Sequence, residues 1–161
     1  MKFEKAVDIL EVAVRIERHS VELYAKLFET TGSSRARDLF SLLAAEEEKH
    51  LGRVRLLLEE IADYAPRYGY PGEYELFVDG MARRSLGFAL DIGQAPQSGR
   101  APEAIAAAMA LEKGVISFTS DHLDWFQGDT RLALEELIEE EKGHLEKLED
   151  LLGTYSAAHG D

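Results

Sequence analysis

The chain has 161 residues, enough for one domain with a sizeable core, and carries a formal net charge of −13 with no cysteine. No Lys/Arg cluster offsets that charge, which argues against nucleic acid and anionic membrane as partners; the missing thiols exclude disulfides, thiolate metal sites, iron–sulfur clusters and a cysteine nucleophile. No stretch reaches the roughly 20 apolar residues that span a bilayer, and Met1–Asp8 carries acidic residues where a signal peptide is apolar, so a cytoplasmic location is expected.

Long apolar runs at helical spacing, with little β-branched alternation, predict an all-α fold. A first helix is expected over about 3–29, its apolar stripe reading Leu10, Ala13, Glu17, Ser20, Tyr24, Leu27. Gly32-Ser33-Ser34 supplies a stop and then an N-cap. The second helix, about 35–62, carries Phe40, Leu43, Glu47, His50, Val54, Leu57, Ile61 and ends before Pro66. Residues 63–101 form one long crossover rich in proline and glycine, in which Tyr74–Arg84 is expected as a short helix. Pro102 and Glu103 open a third helix, about 102–126, with the stripe Ile105, Ala108, Glu112, Val115, Thr119, His122. Gly128-Asp129-Thr130 marks a second tight turn, and the fourth helix, about 130–152, carries Leu134, Leu137, Glu141, His144, Leu148, Leu151. It is expected to stop at Gly153, leaving a frayed tail. Two short turns and one long connection give two antiparallel hairpins joined by a crossover, a four-helix bundle forming a single domain over 1–161.

In each stripe apolar residues flank one charged level, where Glu or Glu-x-x-His stands in place of Leu. The polar levels match. Glu17 and Glu47 lie equally far from Gly32, about 22 Å along their helices, and Glu112 and Glu141 are likewise balanced about the turn beside Gly128. The segments also repeat. Ala13-Val14-Arg15-Ile16-Glu17-Arg18 matches Ala108-Met109-Ala110-Leu111-Glu112-Lys113, and Glu46-Glu47-Glu48-Lys49-His50 matches Glu140-Glu141-Lys142-Gly143-His144. A duplicated hairpin with a pseudo-two-fold site between its copies is expected.

Residues three apart share a helix face, so Glu47 with His50, and Glu141 with His144, can each reach one ion. Carboxylate and imidazole donors suit iron, manganese or zinc. Four ionised Glu balance two divalent cations, whereas an empty site would suffer carboxylate repulsion and desolvation. In one assignment Glu47 and Glu141 bridge two metals, while Glu17, Glu112, His50 and His144 complete the ends. Tyr24, seven residues beyond Glu17, is placed to meet a ligand carboxylate from a neighbouring helix; a plain core Tyr is the alternative. His122 is about 15 Å along the axis from Glu112 and reads as a core or surface residue; His19 and His159 read as solvated. Glu46, Glu48, Glu139 and Glu140 read as a hydrated face, with an iron entry path as the minor alternative. Gly52, Gly114 and Gly143 should each weaken a helix by about 1 kcal/mol, unless close backbone approach requires them.

Ile16-Glu17-Arg18-His19-Ser20-Val21-Glu22-Leu23-Tyr24 and Glu46-Glu47-Glu48-Lys49-His50, with their counterparts, resemble the ferritin-like superfamily and its rubrerythrin-like members. The resemblance implies that Glu17, Glu47, His50, Glu112, Glu141 and His144 bind two iron ions. It also implies a reduced centre that reacts with hydrogen peroxide or oxygen, and a homodimer. Full-length rubrerythrins add a cysteine-rich rubredoxin-like domain, so this chain is expected to take electrons from an external donor. They also usually carry a Glu three residues after the third-helix ligand, where this chain has Val115; the six-donor set is closer to ferritin or bacterioferritin. The expected function is therefore a di-iron oxidoreductase in oxidative-stress or iron handling. The alternatives are a ferritin-type ferroxidase or iron store, iron binding without turnover, and a metal-free helical interaction module.

Overall fold

A computed structural model describes residues 5–61, 72–86 and 99–157. Within them the chain forms α1 (Ala6–Thr30), α2 (Ser34–Ile61), α3 (Glu73–Leu86), α4 (Ala101–His122) and α5 (Gly128–Ala157), with a single 3-10 turn at Leu123–Trp125. The described residues contain no strand, so the all-α expectation holds. The expected start of the first helix at Phe3, the end of the second at Ala62, His159 and much of the crossover lie outside the described residues.

Contacts at the two ends fix the topology. The backbone N–H of Gly32, in the α1–α2 turn, donates to the Gly99 carbonyl just before α4 (3.1 Å). At the same end the Ser33 and Tyr155 hydroxyls are hydrogen-bonded, which places the C-terminus of α5 there. The other end gathers Lys5, Ala6, Ile61, Trp125 and Gln127 around one cleft. Hence α1 and α5 run one way and α2 and α4 the other. This is the expected pair of antiparallel hairpins, with α1 packed on α2 and α4 on α5.

Local chemistry explains the boundaries. Thr31 turns extended and donates its N–H to the Leu27 carbonyl (3.0 Å), ending α1, and Ser33 Oγ then caps α2 by accepting the Ala36 N–H (3.3 Å). The stop at Gly32 is made without a left-handed residue, whereas Gly128, at φ +58°, uses that conformation. The third bundle helix stops at His122 rather than 126, because the chain tightens into the 3-10 turn and Arg131 donates to the exposed Leu123 carbonyl (3.3 Å). The last helix does not stop at Gly153 but continues to Ala157. A glycine costs only about 1 kcal/mol in a helix, and Leu151, Leu152 and Tyr155 pack on the core around it.

α3 extends the short helix expected in the crossover. It lies along α1, tied by Tyr74 to Asp8 (3.2 Å) and by Arg15 to Asp79 (2.9 Å), and its last residues cross α4. Gly114 is required there: a Cβ would stand 2.8 Å from Leu86 Cδ2 and 3.3 Å from Leu86 Cα. Gly52 and Gly143 have open space instead. The core fills the space between the four long helices with the stripes read from the sequence, including Leu10, Phe40, Leu43, Ile105, Leu134 and Leu148, and adds Leu111, which stood outside them.

Candidate metal centre

All four stripe Glu and both stripe His are buried: Glu17, Glu47, Glu112 and Glu141 expose at most 1% of their surface, and His50 and His144 expose 2%. Their apolar neighbours on each helix pull the stripe inward, and the polar level is carried in with it. Glu47, His50, Glu141 and His144 form a tight group whose facing atoms all lie within 4.8 Å of one another. His50 Nδ1 lies 2.9 Å from Glu141 Oε1 and 3.6 Å from Glu47 Oε2. His144 Nδ1 lies 2.9 Å from Glu47 Oε1, 3.0 Å from Glu141 Oε2 and 3.8 Å from Glu112 Oε1. The two imidazoles stack, with centroids 5.2 Å apart and planes 13° from parallel. Glu17 joins from α1 with its carboxyl against Glu47, and Glu112 from α4 with its carboxyl against Glu141. The six residues therefore form one layer across four helices.

Tyr24 also reaches this layer. Its buried hydroxyl donates a hydrogen bond to Glu112 Oε1, while Thr119, its counterpart in the repeat, leaves the other side without a phenol. His122 is satisfied elsewhere: its ring N–H donates to the Phe118 carbonyl at 2.7 Å. His19 sits half-buried against Glu22 at 3.4 Å, rather than solvated as expected.

Protons partly neutralise the crowding. Burial, reinforced by the charges of Glu141 and Glu47, pushes Glu17 and Glu112 well above the usual carboxylate range. Burial would raise Glu141 too, but contacts from His144 and His50 outweigh it and hold this carboxyl at about 2. Burial would lower both histidines; the facing Glu141 and Glu47 reverse that, to about 10 for His50 and about 9 for His144. Five buried carboxylate oxygens, on Glu17, Glu47, Glu112 and Glu141, make no well-directed hydrogen bond, and neither does His144 Nδ1, although it stands beside Glu47 Oε1 and Glu141 Oε2. Buried polar atoms that crowd together without well-directed hydrogen bonds fit a group of small hard cations better than a purely structural polar core.

The outer sides of the histidines correct the sequence reading. Glu46 and Glu140 are not simply a hydrated face. His50 Nε2 donates to Glu140 Oε2 and His144 Nε2 meets Glu46 Oε2, both at 2.9 Å. Arg53 in turn grips Glu140 with bonds of 3.0 and 2.7 Å, and Lys147 holds Glu46 at 2.9 Å. The sequence did contain a signal: the offset that maps Glu47 onto Glu141 also maps Glu46 onto Glu140 and the cation Arg53 onto Lys147. A cleft of about 300 Å³, lined by Glu46, Lys49, His50, Glu140, Gly143, His144 and Lys147, opens this side to solvent.

No curated protein and no solved structure matches the chain. The Rubrerythrin family matches it over residues 8–152, a span holding all of α2 and α4, most of α1 and α5, and every donor of the layer. That match, with a buried Glu/His group that could hold metal, completes the assignment: the chain belongs to the rubrerythrin family.

Proposed function

We propose that the chain is a non-haem di-iron oxidoreductase, with Glu17, Glu47, His50, Glu112, Glu141 and His144 holding two iron ions and hydrogen peroxide or oxygen as oxidising substrate. The observation that carries this reading is the set of carboxylate oxygens that converge from four helices on one buried layer without well-directed hydrogen bonds. When bound, a reduced iron pair supplies the electrons for reduction of the oxidant. The chain's own residues supply the rest. Four ionised carboxylates balance two divalent cations, so the charge buried in the core is close to zero. Tyr24 holds Glu112 by its hydroxyl and fixes that carboxylate's orientation. The apolar stripes on either side of the layer exclude bulk water, and the cleft between α2 and α5 gives a small oxidant an approach beside His50 and His144.

The proposal also takes an electron donor outside these 161 residues, a cytoplasmic setting and a homodimer; among the described residues no helix is long and apolar enough to cross a membrane. Stopped-flow mixing of the Fe(II)-loaded chain with peroxide should give oxidation faster than that of free Fe(II) in the same buffer. An equal rate refutes the catalytic reading.

A second reading, a ferritin-type ferroxidase or an iron-binding protein without turnover, draws on Val115. That side chain is 1% exposed and leaves six donors in the layer. Light scattering separates the two, since storage requires a hollow multi-subunit shell and a dimer excludes one.

A further inference from the structure

The central seam between α2 and α5 is only thinly packed, and the polar pairs that cross it are reciprocal. Glu140 of α5 sits on His50 of α2, and Glu46 of α2 sits on His144 of α5, each carboxylate 2.9 Å from Nε2. Each carboxylate is held a second time by a cation one turn beyond the histidine it meets: Arg53 follows His50, and Lys147 follows His144. The histidines are buried, while Glu46 and Glu140 stand at the rim of the cleft.

An imidazole can turn about its Cβ–Cγ bond at little torsional cost, because that torsion is broad and roughly two-fold. Such a turn puts Cδ2 where Nδ1 stood and presents a C–H group, not a nitrogen, to the carboxylate layer. An acceptor fixed opposite Nε2 removes that freedom. Neighbouring acids do not share this geometry: Glu139 pairs with Lys142 at 2.6 Å in solvent, and Glu48 is exposed.

We propose that Glu46 and Glu140 are positioning residues, each orienting the opposite helix's histidine with Nδ1 toward the carboxylate layer and Nε2–H toward the cleft. The proposal rests on the di-metal reading above. It adds that each half of the centre is oriented by the other half's acid, so the two metal positions share one cross-braced support. Partners of this kind typically govern metal affinity by 10- to 100-fold.

The test uses Co(II), whose visible absorption reports both stoichiometry and ligand geometry, titrated into the metal-free chain. Glu46→Ala and Glu140→Ala should weaken Co(II) binding roughly 10- to 100-fold and alter its spectrum. Glu46→Gln and Glu140→Gln keep an acceptor oxygen and should restore most of the affinity and the native spectrum. Glu48→Ala and Glu139→Ala, which remove the same charge nearby, should change little. Alanine favours helices and both target positions reach solvent, so the variants should fold, which circular dichroism verifies. If Gln behaves like Ala, the effect is charge alone and positioning is overturned. If Ala binds as the wild type does, positioning is overturned while the di-metal reading stands. A wild-type chain that takes up no Co(II) overturns both.

Discussion

Glu17 and Glu112 are driven toward the protonated acid by burial, and His50 and His144 stay charged to about pH 10 and about pH 9. These shifts set the direction in which pH acts on the metal-free chain. The two raised acids contribute stability that is complete below their ordinary value of 4.5 and is lost as pH rises through their folded values. The histidines contribute stability that is complete below 6.5 and disappears as pH rises through about 9 and about 10. Glu141 runs the other way, adding stability above 4.5 that is lost as pH falls through about 2. Mildly acidic solution should therefore suit the metal-free form best. Thermal melts from about pH 5 to about pH 10 should show a falling midpoint, and a flat profile would remove the charge assignment on which this rests.

The scale of whole helices separates what the sequence discloses from what it hides. The four stripes were legible because a bundled helix repeats its buried positions every three or four residues, and the Glu and His at one level broke that rhythm together. Their burial follows the stripes through the middle of each helix, from Leu10 and Phe40 to Leu148, and becomes partial only toward helix ends, at Leu57, Ile61, His122 and Leu151. Glu46 and Glu140 were not legible on their own helices, since one residue before a donor lies about 100° around the cylinder and reads as solvent-facing. Only the docking of α2 against α5 gives them a partner. Which of Gly52, Gly114 and Gly143 is required by close approach was hidden for the same reason, because α3 arrives at Gly114 from the crossover. Gly114→Ala gains about 1 kcal/mol of helix propensity but must displace Leu86, 2.8 Å away, together with the α3 backbone. Overpacking of this kind costs about 1–3 kcal/mol, so a net loss of up to about 2 kcal/mol is expected. Gly52→Ala, with open space around it, should gain up to about 1 kcal/mol. Urea denaturation of the pair checks the contrast: equal effects would mean that α3 does not constrain α4.

For the molecule as a whole, the donor layer spans both hairpins, so any ion bound there stabilises their docked arrangement. Binding to the folded chain alone adds about 2.7 kcal/mol per site at a free concentration 100 times Kd, roughly a 5–10 °C rise in Tm per ion for a chain of this size. Mn(II), which avoids oxidation during the scan, should raise the melting midpoint of the wild type. It should leave a Glu47→Ala, Glu141→Ala double variant unmoved. A wild type indifferent to Mn(II), Co(II) and Fe(II) alike would return the layer to a structural role.

The crossing of Glu46 onto His144 and Glu140 onto His50 also bears on the order of events during synthesis. An emerging polypeptide holds only half of the Glu/His layer once α2 has left the ribosome, and that half lacks Glu140, the acid that meets its imidazole. Not until Lys147 has been added does the last brace exist. On the di-metal proposal, a stray cation would therefore meet no complete ligand set on the nascent chain, and capture would wait for the finished bundle.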